Sequence, residues 1–328
     1  GLDRAICTAW STDGSLIAIG GLGGLSVWDV ESGERIFETA QERLVYGIAW
    51  SPDGSRFAAA IKKRETEKEP GEVQIFRTSD WTRSGGVIQT EIGYYNTKIG
   101  WNPTGQLLAN PANIYDPGFG PAQGVAVWNL ASGKRLRLFR GHRREVQAVS
   151  FNPNGRGFLA SASRDATIKI WDLRAQNDPE LHVLHAECLG HTHGVASIAW
   201  HPEGEVIASA GWDGTARLWN SHSGRELAKF SCHMHHCFAI AWSPDGKQLA
   251  TAGDDNLIKF WDPESQGDSS TIIATPDTYS ARLTLQPDGD QVLCLSRTGR
   301  LSLWDSNSLD RVEGGEIPDT VFLDACFS

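Results

Sequence analysis

A unit of about forty to fifty residues recurs along the chain, and it constrains the fold more than any other feature of the sequence. The most complete copy runs from Gly190 to Asn220 and contains three short apolar runs, Val195–Trp200, Val206–Ala210 and Thr215–Trp219. Runs of this length with two-residue alternation favour β-strands. The segment His201-Pro-Glu-Gly204 between the first two runs supplies a proline and a glycine suited to a tight turn. This copy therefore predicts three antiparallel strands.

Seven turn glycines mark the copies, and a closing aromatic residue follows each glycine. The glycines are spaced by 40 to 51 residues. They are Gly14, Gly54, Gly105, Gly155, Gly204, Gly246 and Gly289, and the aromatics are Trp28, Phe76, Trp128, Trp171, Trp219, Trp261 and Trp304. A polar turn and a candidate fourth strand, such as Arg35 to Thr39, come after the aromatic. A period of this size indicates units that bury a continuous core by stacking on one another.

With its Gly-His and Trp-Asp markers, the repeat resembles the WD40-repeat β-propeller family over essentially the whole chain. The resemblance implies an all-β, seven-bladed WD40-type β-propeller with four antiparallel strands per blade, named a to d, in which strand a lines a central channel. The blades are expected at about residues 1–41, 42–90, 91–140, 141–189, 190–230, 231–274 and 275–318. We expect residues 319–328 to form an extra strand, the possible start of a further blade in a longer parent protein.

Composition and charge agree with this fold class and narrow the functions. Thirty-five glycines and thirteen tryptophans against a single methionine suit tight turns and packed aromatics better than helices. The formal net charge of −10 disfavours binding to nucleic acid or to anionic membranes. We see no apolar run near the roughly 18 residues that cross a bilayer, and no leader, so we expect a soluble, cytoplasmic protein without a membrane partner. The six scattered cysteines are interpreted as reduced and mostly buried.

Three sets of His, Ser or Thr, Asp and Trp recur in register in blades four, five and six. They are His142, Ser161, Asp165 and Trp171; His191, Ser209, Asp213 and Trp219; and His233, Thr251, Asp255 and Trp261. Three copies of a triad are not expected of an enzyme, whose signature is one exposed nucleophile beside an oriented base. The sets resemble the structural tetrad of the family, a buried hydrogen-bond chain that joins the d–a loop to the sheet. We therefore predict structural roles for them and no catalytic residue.

One segment is rich in metal-ligand side chains. Ser231–Cys237, with the sequence SCHMHHC, combines thiols and imidazoles as zinc and copper sites do. However, His233 belongs to a tetrad and Cys237 to the start of a strand, which leaves only His235 and His236. We predict no metal and no cofactor. A metal-dependent or hydrolytic enzyme that uses the channel mouth remains an alternative.

Partner binding is predicted on one rim of the propeller, which we call the upper rim. Because successive strands alternate direction, the d–a and b–c loops share this rim. Two b–c connections look long, Lys62–Gly71 and Asn110–Gln123. The predicted rim residues combine aromatic, arginine and charged side chains, as interface anchors do: Arg164, Trp212, Asp254, Arg143, Arg144, Glu145, His193, His235, Tyr94 and Tyr95. The first three lie just before the turn aspartate and are expected to point outward.

The function predicted from these features is a non-enzymatic scaffold or sensor domain that binds a protein or peptide. Other domains of a longer parent chain are expected to accompany it. A second alternative is a platform for nucleic acid, which needs basic residues on one rim. The candidates for that role are Arg43, Lys98, Arg143, Arg144, Arg164 and Arg297.

Overall fold

The computed structural model describes residues 5–39, 43–63, 71–90, 98–116, 120–174, 184–264, 271–274, 280–296, 301–306, 308 and 310–312. The predictions for Tyr94, Tyr95, Arg297 and residues 319–328 lie outside these residues. In the described part every regular element is a β-strand. No helix long and apolar enough to cross a membrane occurs in these ranges.

Each repeat folds into a small antiparallel sheet whose strands follow chain order. Blades one and two comprise β1 (Ala5–Trp10), β2 (Leu16–Gly21), β3 (Gly24–Asp29), β4 (Arg35–Glu38), β5 (Arg43–Trp50), β6 (Arg56–Lys63), β7 (Gly71–Arg77) and β8 (Ile88–Thr90). Blades three and four comprise β9 (Gly100–Trp101), β10 (Leu107–Asp116), β11 (Gly120–Asn129), β12 (Lys134–His142), β13 (Val146–Phe151), β14 (Phe158–Ser163), β15 (Thr167–Asp172) and β16 (Leu184–Leu189).

The remaining three sheets complete the ring. Blades five and six comprise β17 (Val195–Trp200), β18 (Val206–Gly211), β19 (Thr215–Asn220), β20 (Glu226–Ser231), β21 (Cys237–Trp242), β22 (Leu249–Gly253), β23 (Leu257–Trp261) and β24 (Thr271–Ala274). Blade seven has β25 (Ser280–Leu285), β26 (Gln291–Ser296) and β27 (Leu301–Asp305) as its described strands. The chain is thus an all-β, seven-bladed propeller, as the repeat predicts. The blade boundaries given above stay predictions.

The insertion in blade three is not the loop that the sequence suggested. Strands β10 and β11 continue as a paired ladder from Leu107 opposite Asn129 to Asp116 opposite Gly120, so most of the predicted b–c loop is strand. Pro111 fits because β9 pairs only with Leu108 and Ala109, and beyond that point β10 is an edge where a missing N–H costs no ladder bond. The prediction of a long loop over Asn110–Gln123 is therefore wrong.

The tryptophans that end strand a connect neighbouring blades. The indole N–H of Trp50 donates to the carbonyl of Ala9 at 3.1 Å, and the indole of Trp101 donates to the Ala49 carbonyl at 2.9 Å. Trp200 repeats the contact with the Ser150 carbonyl at 2.9 Å. Through these three bonds the buried N–H of Trp50, Trp101 and Trp200 finds an acceptor on the preceding blade and joins neighbouring blades.

The ring closes through packing between blades seven and one. Trp10, Ile17 and Trp28 of blade one form one apolar cluster with Leu293 and Leu295 of blade seven. On the lower rim, formed by the a–b and c–d turns, the Gln286 amide donates to the Gly14 carbonyl at 3.3 Å. Burial of apolar area between first and last blades supplies the main stabilisation of such a closure.

The a–b turns also touch from blade to blade, which explains one of the turn glycines directly. Gly246 has a φ of +73°, and a Cβ placed on it would lie 2.2 Å from Nε2 of His201 in the preceding blade. Glycine is required there both for the left-handed backbone and for the close approach.

Candidate interaction surface on the upper rim

The three sets of four residues each form a continuous hydrogen-bond chain. In blade five, Nδ1 of His191 lies 3.0 Å from the carboxylate of Asp213, and its Nε2 lies 2.7 Å from Oγ of Ser209. The indole of Trp219 donates to the same Ser209 oxygen at 2.8 Å. Blades four and six repeat the pattern through His142, Ser161, Asp165 and Trp171 and through His233, Thr251, Asp255 and Trp261.

Burial sets the chemistry of these chains. Ser161, Ser209 and Thr251 are fully buried, so no substrate reaches their hydroxyls. Burial by itself raises the pKa of Asp213, but the hydrogen bond and charge of His191, the Thr215 hydroxyl and the Thr192 N–H outweigh it and hold that pKa well below its ordinary value. Hydrogen bonds to the ionised form are what lower a carboxyl pKa in this way. The Asp165 pKa is lowered by the same balance of burial against its partners.

The tetrad aspartates also hold the loops of the upper rim. The Asp213 carboxylate accepts the backbone N–H of Thr192 at 3.0 Å, and Asp165 accepts that of Arg143 at 2.8 Å. Both acceptors lie in b–c turns and both donors in d–a loops. The hydrogen-bond chains therefore fix the two kinds of loop relative to each other, and with them the side chains that the loops carry.

Three of the other blades give their closing tryptophan a different acceptor. In blade three Trp128 donates to Oδ1 of Asn110 at 2.7 Å. In blades one and seven Trp28 and Trp304 donate to Ser26 at 2.8 Å and Ser302 at 3.0 Å, from strand c instead of strand b. Each tryptophan N–H is thus satisfied without a histidine, as a buried donor requires.

On the upper rim, residues from three blades form one row. The guanidinium of Arg164 in blade four lies over the Trp212 indole of blade five, 4.9 Å from its centroid. On the other side His236 of blade six meets that indole edge to face, with ring centroids 6.5 Å apart. His236 also stacks on Phe238 at 5.5 Å. We call Arg164, Trp212, His236 and Phe238 the rim row.

The rim row departs from the expectation that the residue before each turn aspartate points outward. Arg164 is exposed, but the Trp212 indole lies down and is half-buried. A Cβ on Gly194 would lie 2.9 Å from Cε3 of Trp212, so this glycine makes room for the ring. The Asp254 side chain is only 10% exposed because it binds Nδ1 of His236 at 2.7 Å. The expectation is therefore wrong for Asp254.

The other predicted rim residues within the described ranges surround this row. Arg143, Arg144, His193 and His235 are exposed on d–a loops, and Glu145 lies 3.8 Å from Arg164. Sequence reasoning missed Met234, which is 84% exposed on the d–a loop beside His235. It also left His236 out of the rim. The signal for Met234 was its being the one methionine in the chain, placed in a loop.

The cysteine and histidine segment does not converge on one point. Cys232 and Cys237 are buried, with their thiols directed to the Phe230 and Ala239 carbonyls. His233 is held in its tetrad, and His236 is bound to Asp254. Burial raises the pKa of Cys237, which opposes the thiolate that a metal needs. Across the described residues no three His, Cys, Asp or Glu side chains form a group that could hold a metal ion.

The central channel forms a cavity of about 580 Å³ lined by strands a of all seven blades. Lys98 lies inside it, and its ammonium group donates to Oγ of Ser197 at 2.8 Å. Arg43, another basic candidate, pairs with Glu72 in blade two. These two candidates for nucleic-acid binding are thus engaged with other residues of the chain.

Fold and repeat together define the class of the protein as a β-propeller built from WD-type repeats. The family model described as WD domain, G-beta repeat matches residues 133–172, 181–220 and 224–262. These three matches contain the three complete tetrads. Blades four, five and six thus contain repeats of the WD40 type, within a ring of seven such sheets.

Curated relatives share parts of this chain. Actin-interacting protein 1 of Drosophila melanogaster is 25% identical over 236 residues, which cover 67% of this chain and 34% of the relative. A guanine nucleotide-binding protein subunit beta of Zea mays is 30% identical over 114 residues, covering 33% of this chain and 29% of the relative. Polycomb protein EED of Chaetomium thermophilum is 34% identical over 95 residues, 29% of this chain and 17% of the relative. The matches span about a third or less of the length of these relatives.

Proposed function

We propose that this chain is a rigid, non-enzymatic platform that binds a protein or peptide on its upper rim. The relatives support the general role, since the WD40 proteins among them act as protein-interaction scaffolds. One of them is named for its interaction with actin, which is itself a protein. For the present chain, the side chains of the upper rim indicate what kind of partner binds.

The observation that carries the proposal is the rim row. Four side chains from three blades place a cation, an indole, an imidazole and a phenyl ring side by side next to the exposed Met234. Aromatic, arginine and methionine residues are enriched at protein interfaces, and their clusters carry most of the binding energy. The rim row lies above the apolar cores of the blades, so packing between the blades does not require it.

The indole N–H of Trp212 adds a second argument. Within the described residues this buried donor has no hydrogen-bond acceptor. A buried donor without a partner costs about 1–3 kcal/mol. Because this nitrogen is inaccessible in the unliganded rim, the indole has to turn before a main-chain carbonyl of the partner can accept from it, and that bond then recovers the free energy.

Two features of the site argue against hydrolysis. The hydroxyls of the tetrads are buried and already bonded to both tryptophan and histidine. The described cysteines are buried and form no disulfide, and burial raises the pKa of Cys188 to about 12. A nucleophile needs exposure and a base that is not engaged elsewhere. Cysteines without disulfides are typical of a reducing compartment, so we place the chain in the cytoplasm. We also propose that it is part of a longer parent protein.

Selection from a random peptide library tests the proposal. Peptides selected on the wild-type protein should bind the double variant Arg164→Glu with Trp212→Ala at least about tenfold more weakly, because anchor residues dominate interface energy. Met234→Glu provides a second rim variant that leaves packing intact, since its side chain is almost fully exposed.

Matched variants on the lower rim are the control. Arg174 stacks on Phe158 at 4.6 Å in a contact that resembles that of Arg164 with Trp212. Arg174→Glu and His222→Ala should leave binding unchanged. Peptides that lose affinity for the lower-rim variants but keep it for the upper-rim variants would show that the proposed face is wrong. Urea denaturation of every variant separates lost binding from lost stability.

A further inference from the structure

The outer strand of blade three is strongly basic in an acidic chain. Six of the eleven residues from Lys134 to Arg144 are lysine or arginine, although the whole chain has a formal net charge of −10. Four of them lie on β12, and Arg143 and Arg144 follow it in the d–a loop. The other outer strands with described bounds read RIFE, IQT, LHAECL, ELAKFS and TIIA. None of these carries more than one lysine or arginine.

The basic residues face solvent. Lys134, Arg135, Arg143 and Arg144 are exposed, and Arg137 and Arg140 are half-buried. In the described part of the chain, Lys134, Arg135, Arg143 and Arg144 have no carboxylate within ion-pair distance. Like charges gathered along one edge repel one another, so the free chain bears an electrostatic cost that an anionic partner removes.

Strand β12 is also the longest outer strand among those described, with nine residues against three to six in the others. Its only ladder neighbour is β11, so the opposite side is a sheet edge. The pairing with β11 is irregular at Leu136 and at Gly141, and it is regular from Arg137 to Arg140. An edge with a regular stretch can accept another strand.

Protection of the edge does not explain so many charges. Charged residues on an outer strand commonly prevent unwanted pairing between sheets. However, β4 and β20 have the same irregularity in their pairing, with Ile36 and Leu227 as the extra residue, and each carries one basic and one acidic residue. Outer strands of this propeller therefore do without an excess of basic residues, and the basic run of β12 exceeds what protection against unwanted strand pairing needs.

We propose that an extended acidic segment of a partner polypeptide docks along β12, pairing its main chain with the edge and its carboxylates with Lys134, Arg135, Arg143 and Arg144. Nine strand residues span about 30 Å, enough for a segment of eight or nine residues. Acidic side chains toward the two ends of such a segment lie near Lys134 and Arg135 at the start of β12 and near Arg143 and Arg144 just beyond its end. This surface is distinct from the rim row and does not depend on it.

The strand edge favours a polypeptide over a nucleic acid. A polypeptide can use both the charges and the backbone groups of β12, whereas a phosphate chain can use only the charges. The surrounding surface, with its negative total charge, repels a long polyanion more than a short acidic peptide.

Fluorescence anisotropy with a labelled twelve-residue peptide of alternating glutamate and valine tests the proposal on the full chain. The peptide should bind, and its affinity should fall as the salt concentration rises. The double variant Lys134→Glu with Arg135→Glu should bind at least about tenfold more weakly, because charge reversal replaces two attractions by repulsions.

The chain offers a closely matched control in blade one. Arg35 lies opposite Trp28 as Arg135 lies opposite Trp128, so Arg35→Glu makes the same change at the same place in another blade. It should leave peptide binding unchanged, and equal losses in both variants would overturn the assignment to β12. Melting curves of the variants exclude unfolding as the cause of weaker binding.

Two further probes separate the parts of the proposal. The same peptide with alternate amides N-methylated keeps its charges but loses the main-chain donors on one edge, and it should bind markedly more weakly. Equal binding would overturn strand addition. Single-stranded oligothymidine of similar length should bind more weakly than the peptide. Tighter binding of the oligonucleotide, with the same dependence on Lys134 and Arg135, would assign the surface to nucleic acid and refute the proposal.

Discussion

The tetrad of blade five provides the sharpest stability prediction, through Asp213→Ala. The carboxylate accepts Nδ1–H of His191 at 3.0 Å, the hydroxyl of Thr215 at 2.7 Å and the N–H of Thr192 at 3.0 Å. It also lies 3.5 Å from the guanidinium of Arg217, whose side chain is only 8% exposed. Removing Asp213 leaves the buried His191 donor without an acceptor and weakens the ion pairing of Arg217.

The magnitude follows from these partners. An unsatisfied buried donor costs about 1–3 kcal/mol, and removing one partner of a buried ion pair costs about 3–5 kcal/mol. Because Arg217 keeps its second partner Glu226 at 2.5 Å, most of the second cost is avoided and the first range sets the magnitude. We expect the free energy of unfolding to fall by about 3 kcal/mol.

Equilibrium urea denaturation at pH 7 measures this loss, provided that the dependence of the unfolding free energy on urea concentration is unchanged. The exposed Glu203 provides the control, since Glu203→Ala should change the stability by less than about 0.5 kcal/mol. A loss below about 1 kcal/mol for Asp213→Ala would refute the reasoning, because it would mean that the buried donors find water or other acceptors.

Acid gives an independent check on the same residue. The folded pKa of Asp213 lies below its ordinary value of 3.8, so the unfolded chain binds a proton first as the pH falls. The contribution of the carboxylate is complete above that value and is lost as the pH falls toward the folded pKa. The difference in stability between the wild type and Asp213→Ala should therefore be smaller at pH 3 than at pH 7.

Three further predictions concern other residues. Burial lowers the pKa of His233, so the stabilisation by its neutral form is complete above the ordinary value of 6.5 and decreases below it. In urea denaturation the free energy of unfolding should fall between pH 8 and pH 5, and His233→Gln should make that fall smaller. Gly246→Ala should cost about 2–3 kcal/mol in the same assay, because its Cβ meets His201, whereas Gly133→Ala, with a similar φ of +65° and open space, should cost about 1 kcal/mol. Iodoacetamide at pH 8 should leave Cys188 unmodified in the native protein and alkylate it in urea; rapid native alkylation, seen by peptide mass mapping, would contradict its raised pKa.

Much of the fold could be predicted because the signals are local. The turn glycines, the closing tryptophans and the alternating apolar runs act within one blade, and the tetrads keep the same spacing in blades four to six. The insertion of blade three could not be predicted, because Pro111 argues against a strand unless the neighbouring strand is known to be short. The identity of the partner lies outside what local patterns specify.

The sequence by itself determined the seven repeated sheets and the hydrogen-bonding sets within them, since these depend on spacings of a few residues. The tertiary structure alone decided the rim row, whose members Arg164, Trp212 and His236 are far apart in the chain and meet only because the ring brings the loops of three blades together. It also decided that Trp212 lies flat, because Gly194 of the same blade leaves space for its ring. Side-chain contacts of this kind depend on the angle between neighbouring blades, which packing across the whole ring sets and no single repeat encodes.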